Sequence, residues 1–369
     1  MHTSHKPACT IGFGLFIITL LIFAYDTQHG FTRLIQFGDQ FDAVRLDSID
    51  SDHTYTLQDS SGYDAQFYAQ MAIRPLVNDT QIIQAVDNPQ YRFRRILLSW
   101  IAYIGGHGNP TATLNAYALL NPLFWFLFSI LLFKWLPPHS WKQFLCWAAC
   151  IFNLGIITSI RLSLLELPGF FFVLLCVYLT DQNRPKLGAI SSACSILTKD
   201  VFAINALVQW KTLTFRSYIL TTIIAFVPYL LWLIYLSTLG LPINAGSGNF
   251  ALPFHALWHE VMESLQMARQ DRYSNIIALL SLSIQSVYLL SHIHLNDALS
   301  RIALVNITLM TVLGESVWEG DPGAAFRILL PIGIIFNIKI IDAPNFWLLF
   351  LFGNASIYVS FNYLIHIIF

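Results

Sequence analysis

The chain is a succession of long apolar runs with almost no charge inside them, and this pattern constrains its fold more than any other feature. Crossing a bilayer takes about 20 apolar residues. Runs of that order occupy Ile11–Tyr25, Leu114–Phe133, Phe144–Ile160, Leu165–Leu179, Ile219–Leu239, Ile276–Ser291, Ile302–Leu313, Ile328–Ile341 and Phe346–Ile367. Between Leu187 and Trp210 a further stretch is interrupted by Lys199-Asp200, which leaves room for two short helices meeting at a polar break. In lipid every backbone polar group must be satisfied internally, so such runs become helices. The pattern predicts an all-α, polytopic membrane helix bundle of about nine to eleven crossings, a single membrane domain over residues 1–369.

Composition agrees. The chain is 56% hydrophobic and 11% charged, where a soluble domain carries roughly a quarter charged residues. A net charge of -1 supplies no basic face, so no nucleic-acid partner is expected. Cys9, Cys146, Cys150, Cys176 and Cys194 lie in or beside apolar runs without zinc or disulfide spacing, and read as small core hydrophobes. The first run has a weakly basic start, no small-x-small cleavage site, and Asp26-Thr27-Gln28 after it. It reads as an uncleaved signal anchor.

Placing the N-terminus inside puts Lys6, Lys134, Lys142, Lys186, Lys211 and Lys339 on the inner side and leaves Lys199 outside, in keeping with the positive-inside rule. Most arginines fall on the opposite side: Arg33, Arg45, Arg74, Arg92, Arg94, Arg95, Arg161, Arg269, Arg272 and Arg327, with Arg184, Arg216 and Arg301 inside. The acids follow the arginines, except Asp181, Asp297 and Asp342. An outer face rich in both Arg and carboxylate suits phosphate binding and acid–base chemistry, because Arg grips phosphate through two parallel hydrogen bonds. Ordinary solvated loops are the other reading of the same residues.

The first outer loop, residues 26–109, is too short for an independent enzyme domain, so any chemistry must be shared with the bundle. Two amphipathic helices are expected in it, Tyr63–Ile73 and Tyr91–Ile104, lying in the membrane interface. A second outer loop, Leu241 to Asn275, holds the stretch Asn244 to Asn249 and then a helix over His255–Gln270. A third, Gly314–Arg327, carries Glu315, Glu319, Asp321 and Arg327. These could roof a cavity or bind a divalent cation. His255, His259 and Glu263 share a helical face, but the pattern is not His-Glu-x-x-His, so no metal or other cofactor is expected.

Three constellations carry chemistry. Asp64 follows Ser60-Ser61-Gly62-Tyr63, where a serine cap would leave it in the first helical turn, held ionised by the helix dipole. An ionised carboxylate above a membrane can accept a proton from a hydroxyl nucleophile, or simply stabilise its helix. Tyr63, Gln66 and Tyr68 beside it are flat and amide-bearing side chains that suit sugars. Arg92, Arg94 and Arg95 could hold a lipid phosphate, or attract anionic headgroups generally. Lys199-Asp200 is an ionisable pair in an apolar stretch, functional by default in a membrane, or else a mutual salt bridge joining two short helices. Arg161 and Glu166 bracket a tight turn and are expected to pair with each other.

Anchor, long outer loop with an acidic residue, then a many-helix bundle: this layout resembles the GT-C membrane glycosyltransferases. More narrowly, Gly62-Tyr63-Asp64-Ala65-Gln66-Phe67-Tyr68 and Tyr91-Arg92-Phe93-Arg94-Arg95-Ile96-Leu97 are similar to a bacterial group with the patterns G-Y-D-G-Q-F-Y and Y-R-x-x-R-I-L. Leu197-Thr198-Lys199-Asp200 resembles that group's L-T-K-E or L-T-R-E element, with Asp for Glu, and Ala65 stands where Gly is usual. The resemblance implies transfer of a sugar from a polyprenyl-phosphate carrier to a glycan, lipid or protein acceptor at the outer face of a bacterial inner membrane. Asp64 would be the catalytic carboxylate. Tyr63, Gln66, Tyr68, Arg92, Arg95, Lys199, Asp200 and Arg327 would bind substrate, with membrane lipids around the bundle. A transporter or lipid-linked-glycan flippase is the alternative, with charges then expected along a path through the midplane.

Overall fold

The computed structural model describes residues 5–206, 214–241, 247–266, 269–319 and 324–368. Over these the chain is mostly helical, and the one sheet among them is a parallel pair, Phe37–Gly38 with Thr56–Leu57. Five helices are long and apolar enough to cross a membrane: Lys6–Ala24, Pro110–Lys134, Trp141–Arg161, Phe215–Thr238 and Arg272–Ser291. The pair Phe346–Gly353 and Ile357–Ile365, bent by 43°, makes a sixth if counted as one span. The other expected crossings are shorter. Helix Glu166–Asp181 has 16 residues, Pro185–Thr198 has 14, Ala298–Val312 has 15 and Leu330–Lys339 has 10. At about 1.5 Å per residue none reaches the ~30 Å of a hydrocarbon core. Among the described residues, length and composition therefore support five or six spans, with the shorter apolar helices packed among them.

Helix Lys6–Ala24 buries Phe13, Ile17, Leu20 and Ala24 and exposes Ile11, Leu15, Ile18 and Ile22. Helix Phe215–Thr238 likewise exposes Ile219, Ile223, Leu230, Leu231 and Ile234. Apolar side chains facing outward along whole helices are compatible with a surrounding bilayer. Inside, polar side chains tie neighbouring segments together. From helix Pro110–Leu131, the Tyr117 hydroxyl donates to the Ser163 carbonyl at 3.1 Å and the Asn121 amide to Leu164 at 2.8 Å, and these bonds fix the turn that presents Glu166. Toward the other end of the same helix, Lys6, Lys134, His139 and Gln182 border a separate hollow, and Lys339 pairs with Asp297 at 2.8 Å. Tyr117 and Lys134 are about 25 Å apart along the helix axis, so these two groups of polar residues lie toward opposite ends of it.

The first loop departs from expectation. The predicted interfacial helix over Tyr63–Ile73 is Ala65–Ile73, and every residue in it is buried, because it lies between helices Leu97–Gly105 and Pro110–Leu131. The predicted helix over Tyr91–Ile104 is two helices, Pro89–Arg92 and Leu97–Gly105, and the bend between them turns Arg92, Arg94 and Arg95 inward, where all three are buried. Stretch Asn244–Gly246 and Asp321 lie outside the described residues, and the helix predicted over His255–Gln270 is described as His255–Ser264.

Ahead of Ala65, two glycines let the chain fold onto itself. Gly62 has φ +67°, and a Cβ on Gly38 would lie 2.2 Å from the Gly62 nitrogen. Around them the Tyr63 N–H donates to the Gln36 carbonyl at 3.0 Å, and the Asp39 carboxylate accepts from the N–H groups of Asp59 and Ser60 at 2.8 and 3.0 Å. This pinned turn sets where Tyr63 and Asp64 point.

Candidate active site

A polar cavity of about 520 Å³ opens where the first loop meets the bundle, with Tyr63, Asp64, Gln66, Asp87, Tyr91, Arg92, Arg95, Lys199 and Arg327 in its wall. Four segments far apart in sequence thus meet there: the Gly62–Asp64 turn, the arginine bend, the end of helix Pro185–Thr198, and helix Ala325–Ile328.

Asp64 takes the N-cap position of its helix but makes no cap bond. The expected serine cap is absent: the Ser60 hydroxyl instead accepts from the Gly62 N–H at 3.0 Å. The Asp64 carboxylate accepts from an Arg92 terminal nitrogen at 2.8 Å. Burial pushes its pKa up, but the charge and hydrogen bond of Arg92 outweigh that, with help from Arg327 and Lys199, and hold it at about 2. It is Arg92, more than a helix dipole, that keeps Asp64 ionised.

Arg92 is itself largely occupied. Asp87 grips it through two bonds, Nε to Oδ1 at 3.0 Å and a terminal nitrogen to Oδ2 at 2.9 Å, while its other terminal nitrogen reaches the Tyr68 hydroxyl at 3.4 Å. A guanidinium held between two carboxylates positions them and has little left for a phosphate. Arg95 is similarly held, by Asp200 at 3.1 Å and the Tyr68 hydroxyl at 3.1 Å, and lies 3.9 Å over the Tyr91 ring.

Lys199 and Asp200 do not pair with each other. Lys199 is extended (φ -155°, ψ 117°) at the end of its helix, so successive side chains diverge. Asp200 turns to Arg94 at 2.8 Å and to Arg95 and does not line the cavity. Lys199 turns to Glu166 at 2.7 Å. Glu166 is also 3.6 Å from Arg327, so the predicted Arg161–Glu166 pair does not form, and the Arg161 guanidinium lies 4.9 Å over the Tyr363 ring. Arg327 is buried and sits 5.4 Å over the Tyr63 ring, and its Nη1, the atom that faces Glu166, makes no hydrogen bond. Glu166 Oε2 is likewise buried without one.

Of the three residues expected to meet sugar, only Tyr63 presents an available ring. Tyr68 is buried behind the wall, its hydroxyl accepting from Arg92 and Arg95. Gln66 spends its amide on backbone, accepting from the Gly38 N–H at 3.2 Å and donating to the Ser61 carbonyl at 2.7 Å. Asp87, Tyr91 and the Glu166 linkage were not anticipated. Asp87 lies just before the Asn88 cap of helix Pro89–Arg92, and its five-residue spacing to Arg92 is the signal that was there to read.

The ion-paired network has Asp64, Asp87, Glu166 and Asp200 facing Arg92, Arg94, Arg95, Lys199 and Arg327, and Glu319 stands exposed at the rim. In the cavity wall itself four cations, Arg92, Arg95, Lys199 and Arg327, stand with three carboxylates, Asp64, Asp87 and Glu319. Such a hollow can hold an anion beside an ionised carboxylate. Among the described residues no group of three or more His, Cys, Asp or Glu is placed to hold a metal, and His255 is 3.5 Å from Glu315 at the surface. No family model, no curated protein and no solved structure matches this chain.

Proposed function

We propose that the protein is a membrane glycosyltransferase that moves a sugar from a polyprenyl-phosphate carrier to an acceptor hydroxyl, at the outer face of a bacterial inner membrane. The reading is supported chiefly by one observation: Asp64, Arg92, Arg95, Lys199 and Arg327, remote in sequence, border a single polar cavity. In this reading the acceptor oxygen attacks the anomeric carbon, the bond from that carbon to the phosphate oxygen breaks, and the phosphate leaves with the electron pair. Asp64 orients the hydroxyl and takes its proton. A carboxylate with a pKa of about 2 is a weak base, so the proton moves as the new bond forms and not before. Arg327 and Lys199 take the departing phosphate, a contribution of up to a few kcal/mol per group. Arg92 positions Asp64, while Arg95 and Asp200 brace the wall. The Tyr63 ring offers a face for the sugar, and apolar grooves between helices hold the prenyl tail. A flippase would call for charge along a path through the bundle. Among the described residues the pairs made by buried arginines and Lys199 with carboxylates, Arg92, Arg94, Arg95 and Arg327 included, gather at or just behind the cavity, with Lys339–Asp297 at the other end.

Loss of the protein followed by mass analysis of surface glycans and lipid-linked sugars tests the proposal. A missing sugar and accumulated donor are expected; unchanged glycans would overturn it.

A further inference from the structure

Helix His255–Ser264 is amphipathic in an unusual sense. Its face toward the protein carries Ala256, Glu260 and Ser264, with Glu260 Oε1 accepting from Asn275 at 3.0 Å and from the Ser264 hydroxyl at 3.3 Å. The outward face carries the apolar side chains instead. Phe254, Trp258, Met262 and Leu265 are 59%, 62%, 38% and 54% exposed, and at 100° per residue they fall within one ~80° arc. A third arc beside it holds His255, His259 and Glu263, all exposed. One face meets protein, one is apolar and one is polar. Water on all free sides would not favour that division, whereas a water–lipid boundary does.

The position agrees. The helix lies in the chain between the end of the apolar helix Phe215–Thr238 and the start of Arg272–Ser291, both long enough to span a membrane. It therefore sits where one span ends and the next begins. Phe254 also holds a left-handed backbone, φ +66°, a conformation unfavourable for an aromatic residue. Its N–H donates to the Thr311 carbonyl at 2.6 Å, and its ring stays outside.

We infer that this helix is a membrane-surface anchor, with Phe254, Trp258, Met262 and Leu265 seated among lipid acyl chains and the His255 edge facing water. It rests on the reading above only in taking the long apolar helices as spans, and not on sugar transfer. The anchor is tied to the cavity. The helix packs on Glu315–Trp318, and the Gly314 N–H donates to the Asn249 carbonyl at 2.7 Å; Asn249 and Ser316 line the cavity. Seating the helix in lipid holds the cavity rim at the bilayer surface, so the substrate class that fits is an amphiphile whose head enters while its tail stays in the membrane.

The test is tryptophan quenching in phosphatidylcholine nanodiscs made with or without acyl chains brominated near the headgroup, comparing wild type with Trp258→Phe. Trp347, 56% exposed on the candidate span Phe346–Gly353, serves as the membrane control through Trp347→Phe. The emission lost on replacing Trp258 should be strongly quenched by brominated lipid and nearly unaffected by aqueous iodide. Quenching by iodide and not by lipid, or by neither, as when a protein partner covers the face, would overturn the anchor. If Trp347 is quenched by lipid and Trp258 is not, only the anchor fails. If neither is, the membrane reading fails with it.

Discussion

Replacing Glu166 by Gln should destabilise the fold sharply, and the same substitution should cost much less in a protein whose Lys199 is already neutralised. Glu166 is 3% exposed and Lys199 9%, with 2.7 Å between charges. At an effective dielectric of about 20 that separation gives roughly 6 kcal/mol of gross attraction, largely offset by the desolvation of both ions. Removing one partner of a buried pair leaves the other unmatched and costs about 3–5 kcal/mol. Gln keeps a hydrogen bond to Lys199, so the lower end applies, about 3 kcal/mol. In Glu166→Gln both Lys199 and Arg327 lose their anion. In the double variant with Lys199→Met only Arg327 does, so the two substitutions should fall short of additivity by about 2 kcal/mol. Unfolding by sodium dodecyl sulfate in mixed micelles, run as a double-mutant cycle, reads this directly. Effects that add within about 0.5 kcal/mol would refute the claim that the pair is a coupled buried unit.

Three further outcomes follow from the same network. Arg92 lowers the Asp64 pKa to about 2 from the ordinary 3.8. What ionised Asp64 contributes to stability is thus complete above pH 3.8 and lost as pH falls toward 2. Arg92→Met leaves burial opposed only by the charges of Arg327 and Lys199, and the acid limb of a pH–activity profile should move up; an unmoved limb would contradict the assignment. Gly62→Ala forces a Cβ onto φ +67° and to within 2.5 Å of the Gly38 nitrogen. It should cost at least about 1–2 kcal/mol and abolish activity by moving Tyr63 and Asp64, whereas a fully active, equally stable variant would show that the turn does not set the site. Asp200→Asn removes the one carboxylate that both Arg94 and Arg95 pair with and should lower stability by about 3–5 kcal/mol, read as a lower sodium dodecyl sulfate midpoint.

The apolar runs of this chain are legible as helices because nothing else satisfies their backbone away from water. Their number as spans is less so. Leu165–Leu179, Ile302–Leu313 and Ile328–Ile341 read like crossings, yet the helices there have 16, 15 and 10 residues, and hydrophobicity alone cannot separate a short buried helix from a spanning one. At the site the side-chain types were legible and the pairings were not. Arg161 and Glu166 look like partners because they are close in sequence. Glu166 instead reaches Lys199, 33 residues on, and Arg95 reaches Asp200, 105 residues on. Those choices depend on how helices pack, which no local pattern encodes. For the same reason Tyr68, four residues after Asp64 in the motif, ends up behind the cavity wall.

The most direct measurement is sugar transfer by the purified protein in nanodiscs from a labelled polyprenyl-phosphate sugar, comparing wild type with Asp64→Asn and measuring donor binding in both. The account predicts turnover reduced about 100-fold or more with donor binding retained. Equal turnover in the two proteins would contradict the role given to Asp64, and donor binding lost together with turnover would move that carboxylate from the chemistry to the architecture.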